Sequence, residues 1–263
     1  MNKDTQQDLS QRLEQFWDGR AKLGELAGTN DFMLTEIEQK FISEIIPECS
    51  HVLDIGCGNS MSLIKLALEK KCSGVGIDFS KEMVKQSQQF INDRKLNDKL
   101  TIHHCGVPPV PTEYGSFDVV MSNRALINLE TSELQKQAIQ SIPNVLRPGG
   151  MYLMIECSLD GGDLTNYMRN KIGLGNIDPP WHNLFFKEKE VESWQTDNFK
   201  IEQMLHISST YHFLSRVVYA KLAELNNQEM KYDSEINKIA LMLPAQIGEF
   251  GPVKAWIWRK SLN

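Results

Sequence analysis

The chain has 263 residues, with 28 basic and 34 acidic side chains that leave a formal net charge of −6. This length suits one α/β domain with an elaboration, and an acidic balance without a Lys/Arg cluster argues against a nucleic-acid partner. The five cysteines form no CxxC pair, and no apolar run approaches a membrane span. We therefore expect a reduced, cytoplasmic protein without a metal site.

Two helices are predicted at the amino terminus. Apolar residues recur at helical spacing over 9–17 and again over 34–46. Between them, the GTND stretch at 28–31 supplies turn residues and a helix N-cap. We therefore divide the chain into an N-terminal helical lid, residues 1–48, and a main domain, residues 49–263.

From residue 52 onward, short apolar runs alternate with helical patterns. Continuously apolar strands separated by helices predict a parallel sheet covered on both faces. The alternation stops after residue 156, where a Gly-, Asn- and Asp-rich stretch predicts an irregular insertion over about 159–195 that lines the acceptor site. The predicted strands are 52–55, 74–77, 100–103, 117–122, 151–156, 200–208 and 253–258, and the predicted helices are 60–70, 81–94, 132–146 and 213–226.

The strongest functional signal is the turn after the first predicted strand. Gly56-Cys57-Gly58 follows that strand and opens a helix. Glycines permit a tight turn and the close approach of a ligand, and open α/β sheets bind ligands at the carboxyl ends of such strands. Asp78 ends the next strand, where a carboxylate can accept both hydroxyls of a ribose.

Two kinds of adenosine cofactor share these features. The dinucleotide fingerprint needs a third glycine, and Met61 stands in its place, where it would block close helix–strand packing. Asp54, just before the turn, is no part of that fingerprint. It suits a ligand that carries an ammonium group, such as the methionine end of S-adenosylmethionine (SAM).

Four motifs in this order resemble the class I SAM-dependent methyltransferase family: LDIGCG at 53–58, GIDFS at 76–80, SFDVVMSN at 116–123 and LRPGGMYL at 146–153. The resemblance implies a Rossmann-like α/β fold, with a doubly wound, mostly parallel seven-stranded sheet whose last strand is antiparallel. It also implies SAM contacts for Asp54, Gly56, Cys57, Gly58, Asp78, Phe79, Met83 and Asn123.

The chain departs from that family pattern in two places. Ser60 stands where many members have a third glycine, and we expect little harm because serine suits a helix N-terminus. Where many members have an Asp-Ala pair after the third strand, this chain has Gly106 and Val107. Adenine contacts at this point would therefore come from the backbone.

A narrower resemblance links residues 16–31, 122–129 and 180–186 to methyltransferases of surface-polysaccharide and lipopolysaccharide biosynthesis. In such enzymes the N-terminal helix closes over the cofactor. The candidates for cofactor contact here are then Arg20, Gly28 and Thr29. Arg20 is also explained as a solvated charge on a helix.

The acceptor is expected beside the end of the fourth strand. Arg124 follows that strand and could orient an anionic acceptor, unless it is paired on the domain surface. His182 is the candidate general base, while Trp181 could stack on a ring and Asn183 could bind a hydroxyl; a surface loop pinned by Trp181 is the alternative. A second polar cluster is also explained as ordinary helix-start residues. It consists of Tyr211, His212 and Arg216.

These observations favour SAM-dependent methyl transfer to a small-molecule or glycan acceptor, at a hydroxyl, carboxylate or phosphate oxygen. One alternative is an N-methyltransferase of a small amine, which Asp160 or Asp163 close to the methyl group would favour. A nicotinamide-dependent dehydrogenase and a non-catalytic SAM-binding protein are the others. The sequence predicts no oligomeric state.

Overall fold

The computed structural model describes the backbone of residues 3–262 and the side chains from Leu9 to Leu262. Seven strands form one sheet in the order β3-β2-β1-β4-β5-β7-β6, and β7 alone runs antiparallel to its neighbours. The predicted fold class is therefore confirmed. The strands are β1 (His51–Ile55), β2 (Ser73–Asp78), β3 (Leu100–His104), β4 (Phe117–Asn123), β5 (Leu146–Cys157), β6 (Phe199–Leu205) and β7 (Val253–Lys260).

Helices cover both faces of the sheet, as expected for buried, continuously apolar strands. The segment between α8 and α9 is π-helical, Phe213–Tyr219. The helices are α1 (Lys3–Ala21), α2 (Phe32–Ile45), α3 (Met61–Glu69), α4 (Lys81–Asp93), α5 (Ser132–Ser141), α6 (Leu159–Lys171), α7 (Glu188–Ser193), α8 (Ser209–His212), α9 (Ala220–Leu225) and α10 (Glu235–Met242).

The register of the central strands determines where the site lies. Ile55 at the end of β1 pairs with Ile77 of β2 on one side and with Ser122 of β4 on the other. All three strands are parallel, so the residues that follow them meet at one edge of the sheet. The glycine turn, Asp78 and Asn123 are adjacent for this reason.

Polar contacts hold the N-terminal helices against α3 and α4. Asp31 caps α2, because its Oδ1 accepts from Leu34 N at 3.1 Å, as the GTND stretch predicted. Asp18 of α1 accepts from Ser80 Oγ at 2.5 Å, at the start of α4. Gln39 of α2 donates to Ser62 Oγ of α3 at 2.6 Å. The helical lid therefore rests on the two helices that follow β1 and β2.

The prediction of an irregular insertion over about 159–195 was wrong for Leu159–Lys171, which forms α6, and for Glu188–Ser193, which forms α7. Ser158 caps α6 by accepting from Gly161 N at 3.1 Å. A Cβ on Gly161 would lie 2.2 Å from Gly251 O. The glycine thus permits close packing of α6 on the chain that leads into β7, and it does not break the helix.

Candidate active site

A cavity of about 640 Å³ lies at the carboxyl ends of β1, β2 and β4. Residues of α1, of α2 and of the turn between them line its opposite side. Ligands of open α/β sheets bind at this edge. Twelve residues predicted to contact a cofactor line it, namely Gly28, Thr29, Asp54, Gly56, Cys57, Gly58, Asp78, Phe79, Met83, Gly106, Val107 and Asn123.

The turn after β1 leaves one face open to the cavity. Gly56 and Gly58 adopt positive φ angles of 66° and 53°. A Cβ on Gly56 would lie 2.4 Å from Ala125 Cβ, whereas a Cβ on Gly58 would meet no neighbouring atom within 4 Å. Gly56 is needed for packing against the loop after β4, and Gly58 leaves space that a ligand can fill.

Asp78 is buried at the end of β2 and holds the glycine turn. Its Oδ2 accepts from Gly58 N at 2.8 Å, and its Oδ1 accepts from Ser80 N at 2.9 Å. Burial raises the pKa of Asp78 to about 6, and these two hydrogen bonds oppose the rise. Each carboxylate oxygen can accept a further hydrogen bond, so Asp78 can still bind ribose hydroxyls.

Asp54 is a second buried carboxyl in the wall of the cavity. Burial raises its pKa well above the ordinary value, and the negative charge of Asp78 adds to the rise. A cationic ligand in the cavity would favour the ionised form of both groups. Asp54 and Asp78 together therefore favour the binding of a positively charged group at this wall of the cavity.

Ser60 does not act as the predicted helix cap. It adopts a left-handed conformation with φ of 59°, which explains why glycine suits this position, and its hydroxyl makes no capping hydrogen bond. Its Oγ donates instead to Ser87 Oγ at 3.0 Å, and Ser87 Oγ donates to Gly58 O at 2.7 Å. The serine thus supports the glycine turn from behind.

Arg20 does not line the cavity. Its guanidinium donates to the carbonyls of Leu26 and Ala27 at 2.9 and 2.8 Å and to Asn30 Oδ1 at 3.0 Å. It therefore shapes the turn at 26–30, which carries two of the lining residues. The direct cofactor contact predicted for Arg20 is absent from this arrangement, because its donors are directed to the turn.

Arg124 lies on the cavity but is already paired. Its Nε lies 2.9 Å from Glu38 Oε1, and its Nη2 donates to Glu38 Oε2 at 3.1 Å. Glu38 is fully buried in α2, and burial raises its pKa while the charge of Arg124 opposes the rise. The guanidinium charge is neutralised inside the protein, which corrects the expectation of an arginine free to hold an anion.

A family model described as a methyltransferase domain matches residues 48–231, well over half of the chain. The chain belongs to this methyltransferase family. The fold and the cavity agree with a SAM-dependent enzyme, and the dinucleotide alternative is set aside. The narrower resemblance to polysaccharide enzymes is not confirmed by this family model.

Two curated relatives of the methyltransferase illustrate the range of acceptors. The demethylmenaquinone methyltransferase of Lactiplantibacillus plantarum is 32% identical over 111 residues, covering 41% of this chain and 46% of that protein. The tRNA (carboxymethyluridine(34)-5-O)-methyltransferase of Macaca fascicularis is 32% identical over 170 residues, covering 62% and 22%. The chain spans about half the length of the first curated relatives it matches. Because one relative is a tRNA methyltransferase, the expected exclusion of nucleic acid gains no support.

Solved structures agree on the fold. A chain of the complex between the Haloferax volcanii Trm112 methyltransferase activator and its methyltransferase is 16% identical, with a TM-score of 0.61. The match covers 94% of the present chain and 98% of that one. At this identity the likeness establishes the architecture alone.

The residues of the cavity fit SAM. The open face of Gly58 leaves room beside the turn, Asp78 offers acceptors for ribose hydroxyls, and Asp54 offers negative charge. Phe79 and Met83, which the family resemblance assigns to the adenine, line the cavity. Met83 is buried in a small apolar cluster with two alanines of the N-terminal segment, so α1 helps to close this part of the cavity.

Glu156 holds the loop after β4, and sequence reasoning missed it. It is fully buried at the end of β5, where its Oε1 accepts from Ser122 Oγ at 2.8 Å and from Leu126 N at 2.9 Å. Its Oε2 accepts from Ile127 N at 3.3 Å. Burial raises the pKa of Glu156 to about 7 against these hydrogen bonds. The sequence signal that could have identified Glu156 is a single acidic residue at the end of an apolar strand.

Beyond the glycine turn, the cavity of the methyltransferase continues over the end of β4. We call this part the β4 half. Trp17 of α1 closes it, and its Nε1 donates to Asn128 Oδ1 at 3.2 Å. The apolar residues that line the β4 half are Leu13, Trp17, Leu126, Leu129 and Leu134.

His182 is not among the described residues that line the cavity, and it packs against α1. Its ring is 4.4 Å from the ring of Phe16 and 5.9 Å from that of Trp17, and Trp181 packs on the same helix. Burial lowers the pKa of His182, and the charge of Arg20 contributes. No residue after 134 belongs to the described lining, so neither the insertion nor its Asn183 reaches the cavity.

The cluster after β6 is internal as well. Tyr211 donates to Asp31 Oδ1 at 2.7 Å, and Arg216 forms an ion pair with Asp31 Oδ2. His212 is buried against Gly251, and burial, followed by the charge of Arg216, lowers its pKa to about 4. These residues fasten the π-helical segment to the start of α2, and none of them lines the cavity.

Among the described residues, 3–262, no group of three or more His, Cys, Asp or Glu side chains is arranged to hold a metal ion. Over the same residues, no helix combines the length and the apolar character needed to cross a bilayer.

Proposed function

We propose that this methyltransferase transfers the methyl group of SAM to an oxygen atom of a small molecule bound in the β4 half. The observation that carries the proposal is one continuous cavity, which joins the glycine turn and Asp78 to an apolar space roofed by Trp17. A space enclosed by α1 and α2 suits a small acceptor better than an extended glycan chain. A monosaccharide or a sugar precursor still fits the proposal.

SAM supplies a methyl group that its sulfonium already activates. The protein contributes position: Asp78 and the glycine turn hold one reactant, and the β4 half holds the other. Holding two reactants in alignment contributes roughly 7–11 kcal/mol to such a reaction. The N-methyltransferase alternative loses its expected support, because Asp160 accepts from Glu188 N and neither Asp160 nor Asp163 lines the cavity.

The experiment is a transfer assay with SAM carrying a labelled methyl group. The purified full chain is incubated with phenols, hydroquinones, monosaccharides, primary amines and, in a separate arm, unfractionated tRNA. We expect label in a hydroxylated small molecule, with loss of transfer in Asp78→Ala. Label in an amine alone would overturn the choice of oxygen, and label in tRNA alone would overturn the choice of a small acceptor.

A further inference from the structure

The charges that line the cavity are strongly unequal. Among the described lining residues, Arg124 alone carries positive charge. The acidic lining residues are Glu25, Glu38, Asp54, Asp78 and Glu130. Glu38 is paired with Arg124, and Glu25 is paired with Arg94. Asp54, Asp78 and Glu130 are therefore the acidic residues of the described lining without a salt bridge, and an acceptor bound beside SAM meets carboxyl groups and no unpaired cation.

The one cation among the described lining residues already has a carboxylate partner. Glu38 contacts two nitrogens of Arg124 from a fully buried position, and Asn123 Nδ2 donates to the same carboxylate at 3.4 Å. An anion that approached Arg124 would have to compete with Glu38. The negative charge of Glu38 repels such an anion, and this repulsion is stronger inside the protein than in water.

Four buried polar atoms of the described lining have no hydrogen-bond partner among the described residues, namely Glu38 Oε1, Asn123 Oδ1, Arg124 Nε and Glu130 Oε2. Glu38 Oε1 and Arg124 Nε lie 2.9 Å apart as an ion pair, which leaves Asn123 Oδ1 and Glu130 Oε2 without any partner. The orientation of the Asn123 amide follows from Glu38, because a carboxylate can only accept and the NH₂ group must therefore face it. Asn123 Oδ1 and Glu130 Oε2 are both hydrogen-bond acceptors, and a buried acceptor without a donor is unfavourable, so a ligand that supplies a donor is favoured there.

We propose that the acceptor carries a hydrogen-bond donor, either a hydroxyl or a protonated amine, which binds Asn123 Oδ1 and Glu130, and that Glu38 excludes anionic acceptors by neutralising Arg124. This inference rests on the proposed function, since it assigns the β4 half to the acceptor. The anchored donor need not be the methylated atom. Carboxylates and phosphates are excluded as acceptors.

The test measures binding and does not need the true acceptor. The full chain is saturated with S-adenosylhomocysteine, whose own binding is recorded by calorimetry. Benzylamine, benzyl alcohol and benzoate are then titrated and followed by ligand-observed NMR; they share a ring that suits the apolar wall. We expect benzylamine to bind about tenfold more tightly than benzoate, with benzyl alcohol between them.

Three variants identify the residues that cause the preference for benzylamine over benzoate. Glu130→Gln keeps the size of the side chain and removes its charge, so we expect the tenfold preference to disappear. Glu133→Gln is the matched control on the exposed face of α5 and keeps the preference. Glu38→Gln frees Arg124, so we expect benzoate to bind about tenfold more tightly than it binds the unmodified protein.

Equal responses to benzylamine and benzoate, including no response to either, would overturn the inference. A preference that survives Glu130→Gln would overturn the anchoring role, and unchanged benzoate binding in Glu38→Gln would overturn the neutralising role. Failure of S-adenosylhomocysteine to bind in the first step would instead overturn the proposed function. Melting curves of each variant identify any loss that comes from unfolding.

Discussion

Two regions of the molecule bury polar side chains in opposite ways. At the strand-end edge, Asp54 and Asp78 are buried next to open space, and burial raises the pKa of both. In the C-terminal region, residues 206–254, the half-buried Arg216 and the buried Lys254 each reach a carboxylate of the same chain. At the strand-end edge, the buried carboxyl groups can still bind a ligand. In the C-terminal region, the polar groups bind each other and join elements of the fold.

The difference gives a criterion for the function of a buried charge. A charge with a protein partner of opposite sign stabilises the arrangement that holds both, and its removal leaves the partner without compensation. A carboxyl that faces a cavity and has a raised pKa is stabilised in its ionised form only when a ligand supplies donors or positive charge. Arg124 and Glu38 show that a paired charge can lie on a cavity and still be unavailable to a ligand.

The largest expected effect comes from Arg216→Ala. Asp31 would be left buried without its cation, and such losses cost about 3–5 kcal/mol of unfolding free energy. Urea denaturation measures the change, with Lys238→Ala in an exposed pair as the control. Affinity for S-adenosylhomocysteine should change far less, because Arg216 does not line the cavity. If Arg216→Ala left the free energy of unfolding unchanged but abolished binding of S-adenosylhomocysteine, Arg216 would serve the ligand and not the fold. That result would contradict the difference drawn between the two regions.

The next largest effect separates two glycines of one turn. Gly58→Ala places its methyl group in the cavity, so we expect at least about tenfold weaker binding of S-adenosylhomocysteine and a stability loss of about 1–2 kcal/mol for the left-handed backbone. Gly56→Ala adds an overlap with Ala125, which costs about 1–3 kcal/mol more. Calorimetry and thermal melting measure both. Equal stability losses in the two variants would contradict the assignment of the free face to Gly58.

The strand-end residues could be predicted because strand register alone determines their positions. Once the apolar runs form parallel strands, Gly58, Asp78 and Asn123 must meet at one edge. Glu38 and Trp17 reach the cavity only through the docking of α1 and α2, and no local pattern encodes that docking. His182 was expected on the cavity but is not in the described lining for the same reason, since its position depends on how the insertion packs against α1.

A smaller effect follows from the raised pKa of Asp78. Between its ordinary value of 3.8 and about 6, the folded protein holds this proton more tightly than the unfolded chain does. The contribution of Asp78 to the stability of the ligand-free protein is therefore present at low pH and is lost as the pH rises through about 6. Ribose hydroxyls need the ionised carboxylate, so SAM affinity should rise over the same range.

Calorimetry at pH 5, 6 and 7 tests this dependence on pH. We expect SAM to bind about tenfold more tightly at pH 7 than at pH 5. In Asp78→Asn, we expect most of this dependence of SAM affinity on pH to disappear. Asp54, whose pKa burial also raises, remains in the variant and leaves a residual slope. Affinity that falls with rising pH would contradict the ribose role of Asp78.

The smallest expected effect is that of His182→Ala, and it decides whether the insertion takes part in the chemistry. With the ring packed on Phe16 and away from the cavity, its removal should change turnover by less than about twofold and cost about 1 kcal/mol of stability, as for other partly buried contacts. His103→Ala is the matched control, because that ring stacks on Tyr114, also outside the cavity lining. A large loss of turnover at unchanged cofactor affinity, seen for His182 and not for His103, would mean that α1 moves aside during the reaction. The polar groups of the insertion would then join the strand-end edge as part of one site.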